Sequence, residues 1–222
     1  MNFESNFDED FNKIHRKRFN LHYIEEKLMV SPIKKFMLSF LELKVFKSFI
    51  KSCNSNLTGK NILEVGCGAG YGIEPIYRSF KPKEYFAFDI SLKMVLLSAA
   101  KAKKKKIPVN VFLGDVKEIK LPSKKFDIVF VFTVLHHVEG WRDGLKEINR
   151  VLKPKGLLLI NEINSRSLSW FERYLKVFHP KKAYFTWDEF NQGLNNAGFL
   201  ILKEYKFLKD LGFFLCVNRR KN

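Results

Sequence analysis

The chain has 222 residues, 46% of them apolar and 15% aromatic, including 23 phenylalanines, enough apolar surface for one sizeable core and too much for general disorder. Forty Lys and Arg against 23 Asp and Glu leave a formal charge of +17, which makes phosphate, nucleic acid or an anionic membrane surface plausible partners without choosing among them. No run approaches the roughly 18 uninterrupted apolar residues that a membrane-spanning helix requires.

The acidic residues Glu4, Asp8, Glu9 and Asp10 near the start are unlike a secretion signal, so a cytoplasmic address is expected. Ser31-Pro32 pairs a capping residue with a first-turn proline, and Ile33, Phe36, Phe40, Phe46 and Ile50 then recur at helical spacing. The polar side of this helix carries Lys34, Lys35, Lys44, Lys47 and Lys51. It can cover a sheet with its lysines in water, or lie on anionic lipid.

From residue 61 short apolar runs alternate with helical stretches, the pattern of parallel strands joined by crossover helices. Strands are predicted over 61–65, 85–88, 109–113, 128–132 and 157–160, with a helix from about Ile73, one after Ser91, and one ending before a Lys153-Pro154-Lys155-Gly156 turn. Thr186-Trp187-Asp188-Glu189 reads as a capping box and Gly198 as a helix stop. Strands over 199–208 and 213–217 close the chain as a hairpin at the sheet edge. The expected fold is a doubly wound, Rossmann-like α/β sheet of seven strands, mostly parallel with an antiparallel C-terminal hairpin and helices on both faces, in one compact domain. The three cysteines, Cys53, Cys67 and Cys216, lack a Cys-x-x-Cys pair, so neither a disulfide framework nor a metal site is expected.

The most informative segment is Glu64-Val65-Gly66-Cys67-Gly68-Ala69-Gly70-Tyr71-Gly72, four alternating glycines between a strand and a helix. Glycine is needed where backbone turns sharply or lies against a ligand. Every register of Gly-x-Gly-x-x-Gly fails at its third glycine, and no Gly-Lys-Ser/Thr follows, which demotes nicotinamide and nucleoside triphosphate cofactors. Asp89 ends the second strand, where a carboxylate can accept from two ribose hydroxyls, and Asp115 ends the third. Singly, either acid reads equally well as a cap or turn residue. Jointly they place a glycine loop and two acids at the carboxyl ends of three consecutive strands.

These residues, together with Phe126-Asp127-Ile128-Val129, Leu135-His136-His137-Val138 and Arg150-Val151-Leu152-Lys153-Pro154, resemble the class I S-adenosylmethionine-dependent methyltransferases, in particular the small-molecule branch of the ubiquinone and menaquinone biosynthesis methyltransferases. The resemblance covers residues 57 to 163. It implies that Glu64, Gly66, Cys67, Gly68 and Gly70 cradle the methionine moiety of S-adenosylmethionine, that Asp89, followed by Ile90, holds the ribose, that Asp115 and Val116 meet the adenine, and that Thr133 borders the cofactor. His136 and His137, just past the fourth strand, are the candidate bases for an acceptor that starts protonated; they serve equally as pocket wall. Trp141 reads as an adenine-stacking residue or a core plug.

Acceptor recognition is expected where the resemblance ends: in residues 1–56 as part of a cap, and in a lid insertion around 164–185 within the 57–222 cofactor domain. Trp170, Arg173 and Tyr174 in the lid interleave aromatic and cationic groups. Such a mix grips a lipid or quinone head, nucleic acid or a membrane interface, or simply forms a half-buried helix. The favoured partner is a small-molecule or lipid-like acceptor, with peripheral membrane contact. The alternatives are an RNA methyltransferase, against which Thr133-Val134-Leu135-His136 stands where an Asn/Asp-Pro-Pro-aromatic signature is expected, and a noncatalytic scaffold or peripheral membrane protein, which would not need the loop and both acids. Oligomeric state is not legible.

Overall fold

The computed structural model describes residues 42–52, 57–175 and 180–220. The predicted helix from Ser31 through Phe40 lies outside them, as does Cys53. The elements in chain order are α1 (Leu43–Ser52), β1 (Asn61–Val65), α2 (Ile73–Phe80), β2 (Glu84–Asp89), α3 (Leu92–Lys104), β3 (Asn110–Leu113), β4 (Phe126–Phe132), a 3-10 turn (Leu135–His137), α4 (Trp141–Val151), β5 (Leu152–Ile163), α5 (Ser165–Leu175), a second 3-10 turn (Lys181–Ala183), α6 (Trp187–Asn196), β6 (Phe199–Phe207) and β7 (Leu211–Asn218). Among the described residues no helix is long and apolar enough to cross a membrane.

The seven strands form one sheet in the order β3-β2-β1-β4-β5-β7-β6. The first five strands are parallel, and β7 runs antiparallel between β5 and β6. All five parallel strands therefore point their carboxyl ends at one edge, and the chain order reverses between β1 and β4, where open α/β sheets bind ligands.

Strand alternation sorts the core into two layers. Along β4, Ile128, Phe130 and Phe132 face α1 and α2, while Phe126, Val129 and Val131 face α4 and α6. Phe46 of α1 closes the first layer, its ring 5.8 Å from Phe132 and from Phe213. Trp141 closes the second, 5.1 Å from Phe185 and 5.6 Å from Phe190. At 1% exposure it is a core residue, which decides between its two readings. Cys67 and Cys216 are buried free thiols.

The expected capping box is present: the Thr186 hydroxyl accepts from the Glu189 amide, and the Glu189 carboxylate accepts from the Thr186 amide. The Lys153–Gly156 segment differs from the sequence expectation. It is an excursion inside β5 and not a turn before it, because Phe126 already pairs with Leu152 and Ile128 with Leu157, so four residues of β5 face the single residue Asp127. Lys155 takes a left-handed φ of 61° to absorb them.

Candidate cofactor and methyl-transfer site

The glycine loop leaves β1 with Gly66, Gly68 and Gly70 all at positive φ, 65°, 51° and 74°. At Gly66 a Cβ would lie 2.5 Å from Val134 Cγ2, and at Gly70 one would lie 2.9 Å from the α3 backbone at Ser98. Both positions are thus closed to side chains by packing as well as by φ. The loop is tied to its neighbours by the Cys67 amide, which donates to Phe88 O at 2.9 Å, and by Lys101, which donates to Ala69 O at 2.6 Å.

Asp89 sits at the centre of this arrangement. Its Oδ2 accepts from the Gly68 amide at 2.8 Å and its Oδ1 from the Ser91 amide at 2.9 Å. Burial pushes its carboxyl up from the usual range, opposed by the amides of Ser91, Gly68 and Ile90. Each carboxylate oxygen carries two acceptor sites, so these amides leave part of its acceptor capacity for a ligand. Asp115 is held by the Lys117 amide, which donates to its Oδ1 at 2.9 Å.

A cleft opens at this edge. Its walls include Gly66, Asp89 and Ile90 from the first two strand ends, Asp115 and Val116 from the third, and Thr133 and His137 from the fourth. Met94, Phe88 and Val138 make it largely apolar. Seven of the sequence-selected residues therefore converge on one space. Glu64, Cys67, Gly68, Gly70 and His136 do not line it. Glu64 lies beneath the loop, 2% exposed, where its carboxylate accepts from the Tyr85 hydroxyl at 2.5 Å; burial pushes its carboxyl up to about 8. Arg173 is exposed on α5, and the side chains of Trp170 and Tyr174 lie outside the described residues.

Sequence reasoning missed Glu162. It is fully buried near the end of β5, and its Oε1 accepts from the amides of Val134 and Leu135 at 2.8 and 2.6 Å. Its Oε2 meets His136 Nδ1 at 2.7 Å. This one carboxylate thereby fixes the turn that carries Thr133, at φ 53°, and His137 into the cleft. Burial raises its carboxyl to about 7 against the pull of those amides. The signal was an acid beside Asn161, just after the apolar run Leu157 to Ile160 and two residues past the predicted end of the strand.

Fold and cleft define a Rossmann-like α/β domain with an open cleft at the carboxyl ends of its parallel strands. Residues 63–160 match the family described as methyltransferase domain. The chain is 32% identical over 149 residues to an uncharacterized protein of Methanocaldococcus jannaschii, covering 65% of this chain and 61% of that one, hence less than two thirds of its length. It is 25% identical over 188 residues to a ubiquinone biosynthesis O-methyltransferase of Rhodopseudomonas palustris, covering 79% of this chain and 72% of that protein. The crystal structure of an S-adenosylmethionine-dependent methyltransferase from Aquifex aeolicus superposes with a TM-score of 0.69 at 24% identity, covering 87% of this chain and 97% of that one. The comparisons support residues 63–160 as a methyltransferase domain of the class I S-adenosylmethionine-dependent type.

Proposed function

We propose that this chain transfers a methyl group by in-line displacement to a small-molecule or lipid-like acceptor in the cytoplasm. The observation that carries the reading is the convergence of Gly66, Asp89, Asp115, Val116 and His137 on one cleft. The residues present fit S-adenosylmethionine: a loop whose Gly66 and Gly70 exclude side chains, an acid with part of its acceptor capacity left, and apolar walls at Ile90, Val116 and Val138. Asp89 would hold the ribose, Gly66 to Gly70 the amino-acid end, and Asp115 with the Val116 backbone the adenine. Bound there, the cofactor supplies an electrophilic methyl on a sulfonium.

What the protein must add is alignment, because displacement at carbon needs nucleophile, methyl and leaving group in line. The turn fixed by Glu162 sets the far wall of the cleft. His137 stands on that wall and can accept a proton from an acceptor hydroxyl. His136 stands behind it, ring centroids 4.0 Å apart, and acts through position. Residues 1–56 and 164–185 supply the acceptor side. Two facts support this placement: Glu42, just before α1, contacts Asn161 near the carboxyl end of β5 at 3.3 Å, and α5 starts directly from that strand end. The lipid-like acceptor is supported by the ubiquinone relative. In this reading Arg173, Trp170 and Tyr174 meet the acceptor.

The test is incubation with methyl-labelled S-adenosylmethionine and fractionated cell extract. Label in the lipid or small-metabolite fraction is expected. Label in RNA would replace this acceptor with a nucleic acid.

A further inference from the structure

The parallel strands share one feature at their starts. Every parallel strand begins with an exposed lysine: Lys60 before β1, Lys81 and Lys83 before β2, Lys106 before β3, Lys124 before β4, and Lys155 in the β5 excursion. Because these strands are parallel neighbours, all six cations lie along the amino-terminal edge, opposite the cleft. At about 4.8 Å per strand the row from β3 to β5 spans roughly 19 Å. The acids at the starts of these strands, Glu84 and Asp127, are occupied by Lys125 at 3.8 Å and Lys153 at 2.8 Å.

Four of the six occupy left-handed backbone: Lys81 at φ 42°, Lys106 at 54°, Lys124 at 56° and Lys155 at 61°. Such positions favour Gly or Asn and penalise a long side chain. Asparagine, with codons as rich in A and T, is the residue that this conformation favours, so lysine at these four positions is not the choice that backbone geometry makes. Lysine at all four sites keeps charge at a conformational cost. Lys81 ends α2 with its amide donating to Tyr77 O at 2.9 Å, and the Lys83 amide donates to Lys60 O at 3.0 Å, so the row is mounted on fixed backbone.

We propose that this amino-terminal edge binds the phosphodiester backbone of a nucleic acid, and that this nucleic acid is a docking partner and not the methyl acceptor. The acceptor cleft opens at the other end of the strands, so a polyanion on the lysine row leaves it free. A bilayer suits the edge less well. Interfacial binding combines cations with inserted apolar side chains, and the exposed large apolar residues, among them Leu96, Leu113, Tyr205 and Leu208, belong to α3, β3 and the β6–β7 hairpin and not to the segments that start β1 to β5.

The test is fluorescence anisotropy of a labelled single-stranded RNA of about 20 nucleotides, with the full chain, titrated between about 50 and 200 mM salt. The variant Lys81→Asn, Lys106→Asn, Lys124→Asn, Lys155→Asn removes charge while relieving backbone strain. It should bind about tenfold more weakly or worse, with a salt slope reduced by roughly 0.7 for each phosphate no longer neutralised, and its melting temperature should hold or rise, which excludes misfolding. A control with Lys146, Lys203, Lys206 and Lys209 changed to Asn, on α4 and the C-terminal hairpin, should bind within about twofold of the parent. Equal affinities in parent and edge variant, equal weakening in both variants, or displacement of the RNA by phosphatidylglycerol vesicles would each overturn the proposal.

Discussion

Glu162 and His136 meet at 2.7 Å inside the protein, 26 residues apart in sequence, and the same carboxylate gathers two successive amides of the turn after β4. A buried carboxylate that holds two amides and a histidine nitrogen is a structural device with high stakes, because removing it leaves each of these polar groups unpaired in a low-dielectric interior. Glu162→Ala should cost about 3 kcal/mol or more in urea unfolding. Glu162→Gln preserves shape and part of the bonding, so it should retain the fold while lowering kcat. A Gln variant with the parent's turnover would show that the turn does not depend on the carboxylate.

Trp141 gives a separate test of the core. Enclosed by Phe185 and Phe190 and 1% exposed, it should cost about 3–5 kcal/mol when cut to alanine. Cofactor affinity of the folded fraction should not change. A selective loss of cofactor binding at unchanged stability would return Trp141 to the adenine site.

The buried Glu64 and Glu162 make stability depend on pH in an unusual direction. Both carboxyls sit higher in the folded protein, about 8 and about 7, than the ordinary value of 4.5. The folded state therefore binds more protons than the unfolded one between about pH 4.5 and 8. Stability from these groups is fully present below that window and falls as pH rises through it. Denaturation from pH 5.5 to 8 should show the parent losing stability relative to Glu64→Gln, with a ceiling of roughly 1.4 kcal/mol per pH unit. A constant difference between the two would mean that Glu64 titrates normally.

Much of this was legible from residue order. Alternation and turn residues located all seven strands, and the glycine loop with Asp89 and Asp115 located the cleft, because period-two burial and positive φ leave local marks. What escaped depends on partners distant in sequence. Glu162 is identifiable only through the turn that it holds, the β5 excursion only through its pairing with Asp127, and the depth of Glu64 only through Tyr85 on the next strand. The lysine row was visible as composition, yet its alignment needed strand order. A lid residue such as Trp170 gains meaning only from what it faces.

The most direct measurement is calorimetric titration of the chain and of Asp89→Ala with S-adenosylhomocysteine, the demethylated product. The parent should bind one equivalent saturably, and the variant more weakly by about 1.5–3 kcal/mol, since the ribose hydroxyls lose their charged acceptor. No saturable binding by the parent, or equal affinity in both proteins, would contradict the assignment of this cleft.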